Sequence, residues 1–359
     1  MELIFNQQHM ASTMADLNYD AAKLPLGKLS KATITNGYEA LKRLAAVLDE
    51  PSLAVSEYNS SLAAISEELS NRYYSYIPHD FGRHRPPVIS SIDHVKKEVQ
   101  LLESLTDLKD ADAILKMEKK STSNIHPMDA RYEGLKMQGM ASVKHESDEF
   151  KGLSKYLVNT RGATHGHSYE VLDIFRIERQ GEHDRFNKSK YASIPSDRRL
   201  LWHGSRSTNF GGILSQGLRI APPEAPVSGY MFGKGVYLAD MSSKSANYCC
   251  SHISGGNALL LLCEAELGAP MHELTDASYE AGEDAQKAGL HSTWGKGQTA
   301  PLAWKDAGDI HADLAGIKIP DTTKAPGDTN VPNAYLQYNE FICYDVSQIR
   351  LRYLLRVKM

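Results

Sequence analysis

The hydrophobic period of this chain changes once, near residue 120, and that change limits the fold more than any single motif does. Before it, apolar residues recur at spacings of three and four: Ile34, Tyr38, Leu41, Ala45 and Leu48; then Leu62, Ile65, Leu69 and Tyr73; then Ile92, Val95, Val99, Leu102 and Leu105. Such stripes mark helices that bury one face against each other. Ser30 is the expected N-cap of the first, Pro78 ends the second, and the third follows the Pro86–Pro87 pair. Met10, Met14 and Leu17 predict a weaker helix at the start, and Ala111, Ile114 and Leu115 a separate last one.

The stretch EKKSTSNIHPMD, Glu118 to Asp129, is polar and aperiodic and reads as a linker. Beyond it the signals turn to strand. Val171, Asp173, Phe175 and Ile177 alternate with Leu172, Ile174 and Arg176, and Ala258 to Leu267 is an apolar run of the length of a buried strand. Near the end, Ile349, Leu351, Tyr353, Leu355 and Val357 share one face while Arg350, Arg352, Arg356 and Lys358 take the other, as in a half-buried antiparallel strand. Between Thr275 and Ala334 there is little period, which predicts long loops. The expected fold class is α+β: an all-α helical bundle over residues 1–122, then a mixed, mostly antiparallel β-sheet domain over 123–359.

Composition serves mainly to exclude. A formal net charge of −4 lacks the basic excess of a dedicated nucleic-acid surface. The four cysteines show no CxxC spacing, which argues against structural zinc and reads as reduced thiols. No secretory signal opens the chain, and the longest apolar run, Ala258 to Cys263, falls far short of the ~20 residues of a membrane span. A soluble intracellular chain is expected. The run from Gly229 to Gly235 fails as a phosphate loop, because glycine follows Lys234 where serine or threonine is needed.

Leu200 to Tyr248 is the block that suggests chemistry. It sets His203 beside Gly204 and Ser205 and is dense in glycine, a residue accepted in ordered segments where a turn or a close approach requires it. Main-chain groups at Gly204 with the Ser205 hydroxyl match the donors and acceptors a primary carboxamide needs. Tyr237 and Tyr248 offer faces for a flat cationic ring, and His203 a partner for a ribose hydroxyl, although a histidine beside glycine is more often a structural hydrogen-bonder. Glu340, in YNEFICYD, either shares a buried strand face with Ile342 and Tyr344 or begins an edge strand in solvent.

The run LLWHGSR…ILSQGLRIAPPEAPVSGYMFGKGVYLADMSSKSANYC and the closing YNEFICYDVSQIRLRYLL resemble the poly(ADP-ribose) polymerases, specifically their DNA-damage-responsive branch. LPLGKLS, LSNRYYSYIPHDFG and VQLLESLTDL resemble that family's helical regulatory domain. The resemblance implies an ADP-ribosyltransferase with NAD+ as substrate and no metal. His203, Tyr237 and Glu340 would be its His-Tyr-Glu triad. Gly204 and Ser205 would grip the nicotinamide carboxamide while Tyr237 and Tyr248 sandwich the ring, Asn209 and Arg219 would bind the adenine-side half, Lys244 would lie by the nicotinamide ribose near the glutamate, and Ser245 would also bind NAD+. Tyr230 would border the NAD+ pocket on the acceptor-loop side, with Met231 towards the acceptor. Glu340, where mono-transferring relatives carry an apolar residue, implies polymer formation on protein acceptors, the enzyme itself included, in the nucleus and away from membranes. Glu103 and Asp107 would lie on a regulatory helix facing the NAD+ site, making the helical domain autoinhibitory. DNA breaks would be sensed only through modules absent from this sequence. Leu290 to Val331, with Trp294 and Trp304, departs from the family pattern.

Overall fold

The computed structural model describes residues 1–120, 125–166 and 168–359; the boundary expected at 122/123 lies outside the described residues. The first part comprises α1 (Gln7–Asp16), α2 (Lys31–Asp49), a one-turn α3 (Leu53–Ser56), α4 (Leu62–Tyr76) and α5 (Ile92–Lys120). Ser30 caps α2 by accepting from the Thr33 N–H, and Ser61 caps α4 from the Ala64 N–H; each cap is worth about 1 kcal/mol. The apolar stripes meet: Leu41, Leu44, Leu69, Leu102 and Leu105 are all fully buried or nearly so.

Glu98 pins α5 to α4. Its carboxylate accepts from the Tyr73 hydroxyl at 2.8 Å and pairs with His79 Nε2 at 2.9 Å. Burial opposes its ionisation, but bonds from His79, His94 and Tyr73 outweigh that and hold the carboxyl down at about 2.

The last helical stripe is not a separate helix. Leu108, Ala111 and Leu115 continue the buried face of α5, which runs unbroken for 29 residues because no proline or glycine interrupts its ladder. The expected linker is correspondingly shorter: Glu118 belongs to α5 and Asp129 to the next helix, α6 (Pro127–Gly134).

Then follow β1 (Met137–Ser142), α7 (Asp148–Asn159), β2 (Glu170–Arg179), α8 (Glu182–Asn187), β3 (Arg198–Ser205), α9 (Phe210–Gln216), β4 (Val236–Leu238), α10 (Ser242–Ala246) and β5 (Asn257–Glu266). The chain ends with β6 (His272–Leu274), α11 (Ala281–Lys287), β7 (Ser292–Gly295), β8 (Gly297–Ala300), β9 (Trp304–Asp306), β10 (Lys318–Pro320), β11 (Gly327–Asp328), β12 (Leu336–Tyr338), β13 (Glu340–Cys343) and β14 (Ile349–Lys358). A seven-stranded sheet has the order β1-β2-β14-β5-β3-β10-β9, a four-stranded sheet β4-β13-β7-β6, and a three-stranded sheet β11-β8-β12. Most pairings are antiparallel, so the fold is α+β.

β5 and β14 form the centre of the large sheet. β14 buries Leu354 as well as the alternate set from Ile349 to Val357, so it is covered on both faces for part of its length. The stretch between Thr275 and Ala334, expected as long loops, keeps loops over much of its length but also carries α11 and the short strands β7 to β11, of two to four residues each. Segments this short show no readable alternation; their pairing partners make them strands. Trp294 stacks on Phe341 at 5.6 Å, and the Arg199 guanidinium lies 4.6 Å from Trp304 and 5.3 Å from Trp294. Trp294 is thus a cross-strand neighbour of Phe341, because β7 lies beside β13 in one sheet. One apolar cluster runs from α2 through α5 into α9 and the large sheet, so helical and β parts share a core.

Candidate active site

β4 joins the two principal sheets, and the site is built around it. On one side Trp202 and Ala239 exchange both backbone hydrogen bonds, at 2.8 and 3.0 Å. On the other, β4 pairs with β13 so that Ile342 faces Tyr237 and Phe341 faces Leu238. His203, Tyr237 and Glu340 thus stand on three neighbouring strands.

His203 Nδ1 lies 3.1 Å from the Tyr237 carbonyl oxygen. A carbonyl only accepts, so Nδ1 carries the proton. Burial lowers the His203 pKa, although the Tyr237 bond pulls it upward; the neutral ring leaves Nε2 as an acceptor. The ladder that gives Trp202's groups to Ala239 aims those of Gly204, two residues on, towards the same edge beyond β4. Gly204 is required there by a close approach: a Cβ would lie 1.9 Å from the Ser245 carbonyl oxygen. The close approach that this glycine serves is therefore the packing of α10 against β3.

The Tyr237 hydroxyl donates to Gly233 O at 2.7 Å and accepts from Phe232 N–H at 2.9 Å, which fixes the ring. Burial pushes its pKa well above the ordinary phenol range. Tyr230 lies 6.5 Å from it, centroid to centroid, and Met231 and Tyr237 both pack against the small cluster of Phe232, Ala281 and Ile342. Tyr248 is 54% exposed. Ser245 Oγ donates to Trp202 O at 3.0 Å, and Ser205 Oγ accepts from Asn209 Nδ2 at 3.0 Å.

Glu340 opens β13, a central strand between β4 and β7, and is only 9% exposed. The edge-strand alternative does not hold. Its Oε1 pairs with Lys244 Nζ at 3.1 Å, and that ammonium also donates to Tyr338 O at 2.9 Å. Burial lowers the Lys244 pKa, with the Glu340 and Asp240 charges acting in the opposite direction.

Helix α5 covers the other end. Glu103 accepts from the Tyr230 hydroxyl at 2.5 Å. Arg219 lies 3.4 Å from Asp107 and also pairs with Asp110, while Asn209 Nδ2 lies 3.4 Å from Ser104 Oγ. Lys42 of α2 donates to Pro223 O at 2.9 Å. A Cβ on Gly212 would meet the Asp107 Cα at 2.7 Å, so α5 and α9 are in backbone-close contact.

Poly(ADP-ribose) polymerase catalytic domain is the family description that matches residues 147–359, and its regulatory-domain counterpart matches residues 1–132. The chain belongs to the poly(ADP-ribose) polymerase family. It is 43% identical over 361 residues to Poly [ADP-ribose] polymerase 1 of Danio rerio, covering 100% of this chain and 33% of that protein. It is 42% identical to Poly [ADP-ribose] polymerase 2 of Arabidopsis thaliana and 41% to that of Homo sapiens, in each case over 100% of this chain, and over 53% and 58% of those proteins. The chain thus spans between a third and somewhat over half the length of these polymerases.

Within this poly(ADP-ribose) polymerase fold the sequence reading missed the polar layer under Glu340. Asp240, Asn339 and Arg199 are each buried there. Asp240 sits one turn before Lys244 in LADMSSK, an acid inside an otherwise apolar and hydroxyl-bearing block, and that was the available signal. No group of three or more His, Cys, Asp or Glu side chains suited to a metal occurs among the described residues, and no described helix is long and apolar enough to cross a membrane.

Proposed function

We propose that this chain is an NAD+-dependent ADP-ribosyltransferase that cleaves the nicotinamide–ribose bond and builds poly(ADP-ribose) on protein acceptors, itself included. The observation that carries it is the buried Glu340 carboxylate, held by Lys244 in one row with Tyr237 and His203. Loss of nicotinamide develops positive charge on the ribose, as in glycosidic cleavage. Lys244 occupies Oε1 of Glu340; the other carboxylate oxygen accepts from the ribose 2′-hydroxyl, stabilising that charge and orienting the incoming hydroxyl.

His203 Nε2 accepts from a hydroxyl of the adenine-side ribose. Gly204 and Ser205, with Ser245, hold the carboxamide, and Tyr237 and Tyr248 bracket the ring; Tyr248's exposure leaves that face open. Arg219 and Asn209 receive the adenine-side half, with Tyr230 on the rim and Met231 towards the acceptor. No step needs a metal. Because Ser104, Asp107 and Asp110 of α5 engage Asn209 and Arg219, and Glu103 engages Tyr230, the helical domain restrains NAD+ entry. We assign the regulatory part to residues 1–122 and the catalytic part to 123–359. The family resemblance supports a nuclear role in DNA-damage response, with DNA breaks sensed by parts outside this sequence.

Incubation of the chain with labelled NAD+, with and without nicked DNA, tests the reading. Nicotinamide release and a heterogeneous smear on the modified protein are expected, both lost in Glu340→Gln. A sharp single band means mono-transfer, and NAD+ binding without release means a silent binding module.

A further inference from the structure

Beneath the candidate active site lies a charged side chain that the mechanism above does not use. Asp240 is fully buried at the turn between β4 and α10. Its Oδ2 accepts from Asn339 Nδ2 at 2.8 Å, while its Oδ1 is buried with no hydrogen-bond partner among the described residues. A buried carboxylate with an unsatisfied oxygen is strongly unfavourable unless its charge is balanced nearby. The groups facing it are Lys244 from α10, Arg199 from β3 and the Tyr156 phenol from α7. Burial pushes the Asp240 carboxyl up to about 6, against the pull of Asn339, Arg199 and Lys244.

Three ties converge on the entry to β13. Asn339 Oδ1 accepts from Gly297 N–H at 2.9 Å, so one side-chain amide bridges Asp240 and β8. Lys244 holds both Tyr338 O and the Glu340 carboxylate. Gly297 permits the approach, because a Cβ there would lie 2.4 Å from the Tyr338 carbonyl carbon. Every residue from Tyr338 to Glu340 is therefore fixed either by Asp240's partner or by the lysine whose charge Asp240 supports.

We propose that Asp240 is a positioning residue for Glu340: through Asn339 it locks the backbone that carries the acid, and its carboxylate, four residues before Lys244, balances the ammonium that holds the Glu340 carboxylate. The inference rests on the ADP-ribosyltransferase reading. It assigns Asp240 no contact with NAD+.

The test measures nicotinamide release by the whole chain, by Asp240→Asn, and by the swap Asp240→Asn with Asn339→Asp. Asp240→Asn keeps the shape and removes the charge. Its kcat falls about 10- to 100-fold, the cost of a misplaced catalytic group. The KM for NAD+ stays within about threefold, because His203, Gly204 and Tyr237 keep their bonds. The basic limb of its kcat–pH profile moves to lower pH, because a less supported Lys244 loses its proton sooner. The swap reverses donor and acceptor across one hydrogen bond, and a carboxylate at position 339 still accepts from Gly297. It recovers at least about fivefold of the lost kcat if the pair acts as a unit.

Turnover of Asp240→Asn within about twofold of the parent, an unmoved basic limb, or a swap that recovers nothing overturns the proposal. Should Asp240→Asn fail to fold, Asn339→Ser cuts the tie to Asp240 and leaves its charge in place, so it is judged by a fall in kcat with the basic limb where the parent has it. A parent chain that releases no nicotinamide defeats the transferase reading itself, which separates that failure from failure of the positioning role.

Discussion

Replacing Gly204 by alanine tests the site through its tightest contact. The added Cβ would stand 1.9 Å from the Ser245 carbonyl oxygen and 2.7 Å from its carbonyl carbon. Both are backbone atoms of α10 and cannot rotate aside. Ordinary contact begins at 3.4 Å, so β3 and α10 must part by about 1.5 Å, and a misplacement of that size costs on the order of 100-fold in rate. The wedge acts on chemistry because β3 carries His203 while α10 carries Lys244, whose ammonium holds Glu340. Overpacking of this kind also lowers stability by about 1–3 kcal/mol, or roughly 2–10 °C in Tm. The assay is nicotinamide release at varied NAD+ together with a melting curve. Gly229→Ala is the control, because its Cβ meets nothing nearer than a Val99 methyl at 3.4 Å. Gly204→Ala turnover within about threefold of the parent would refute the reasoning.

Asp107 carries a pH prediction. Burial raises its carboxyl to about 8, with Arg219 pulling the other way. The folded state thus holds the proton more tightly than the unfolded one, so this group's contribution is fully present below pH ~4 and declines as pH rises towards 8. Asp107→Asn should melt at the parent's temperature near pH 4 and above it at pH 8; an equal gap at both pH values counts against the assignment. A chain beginning near Ile125 should turn over NAD+ faster than residues 1–359, and equal rates would argue that α5 does not restrain the site. Arg199→Ala breaks the bidentate pair with Asp197, at 3.0 and 2.9 Å, and empties the space between Trp294 and Trp304. Denaturant unfolding should show a loss of about 3 kcal/mol, and a loss below about 1 kcal/mol would mean that water replaces those contacts easily.

Long periodic segments were legible because their pattern repeats within one element. The stripes from Ile34 to Leu48 and from Leu62 to Tyr73 are α2 and α4, Ser30 is the cap expected of it, and the runs at Val171, Ala258 and Ile349 are β2, β5 and β14. Splitting α5 failed because Asp107, Asp110 and Asp112 interrupt the apolar stripe without interrupting the hydrogen-bond ladder. The short strands β7 to β11 were illegible because two to four residues carry no period. For the site, His203, Tyr237 and Glu340 could be named by motif, and the structure brings them to one row of strands. Asp240 and Asn339 could not be found that way, since a lone acid and a lone amide acquire meaning only when 99 residues of chain bring them within 2.8 Å.

By itself the sequence determined the class of each long element, the change from helix to sheet, and the family to which the chain belongs. These depend on local side-chain order, which survives being read one window at a time. Only the tertiary structure decided that Glu340 heads a central strand, that Lys244 grips it, and that α5 occupies Asn209 and Arg219. Strand neighbours and helix docking are set by packing between segments far apart in the chain, and no local pattern encodes which distant backbone will fill the other side of a hydrogen bond.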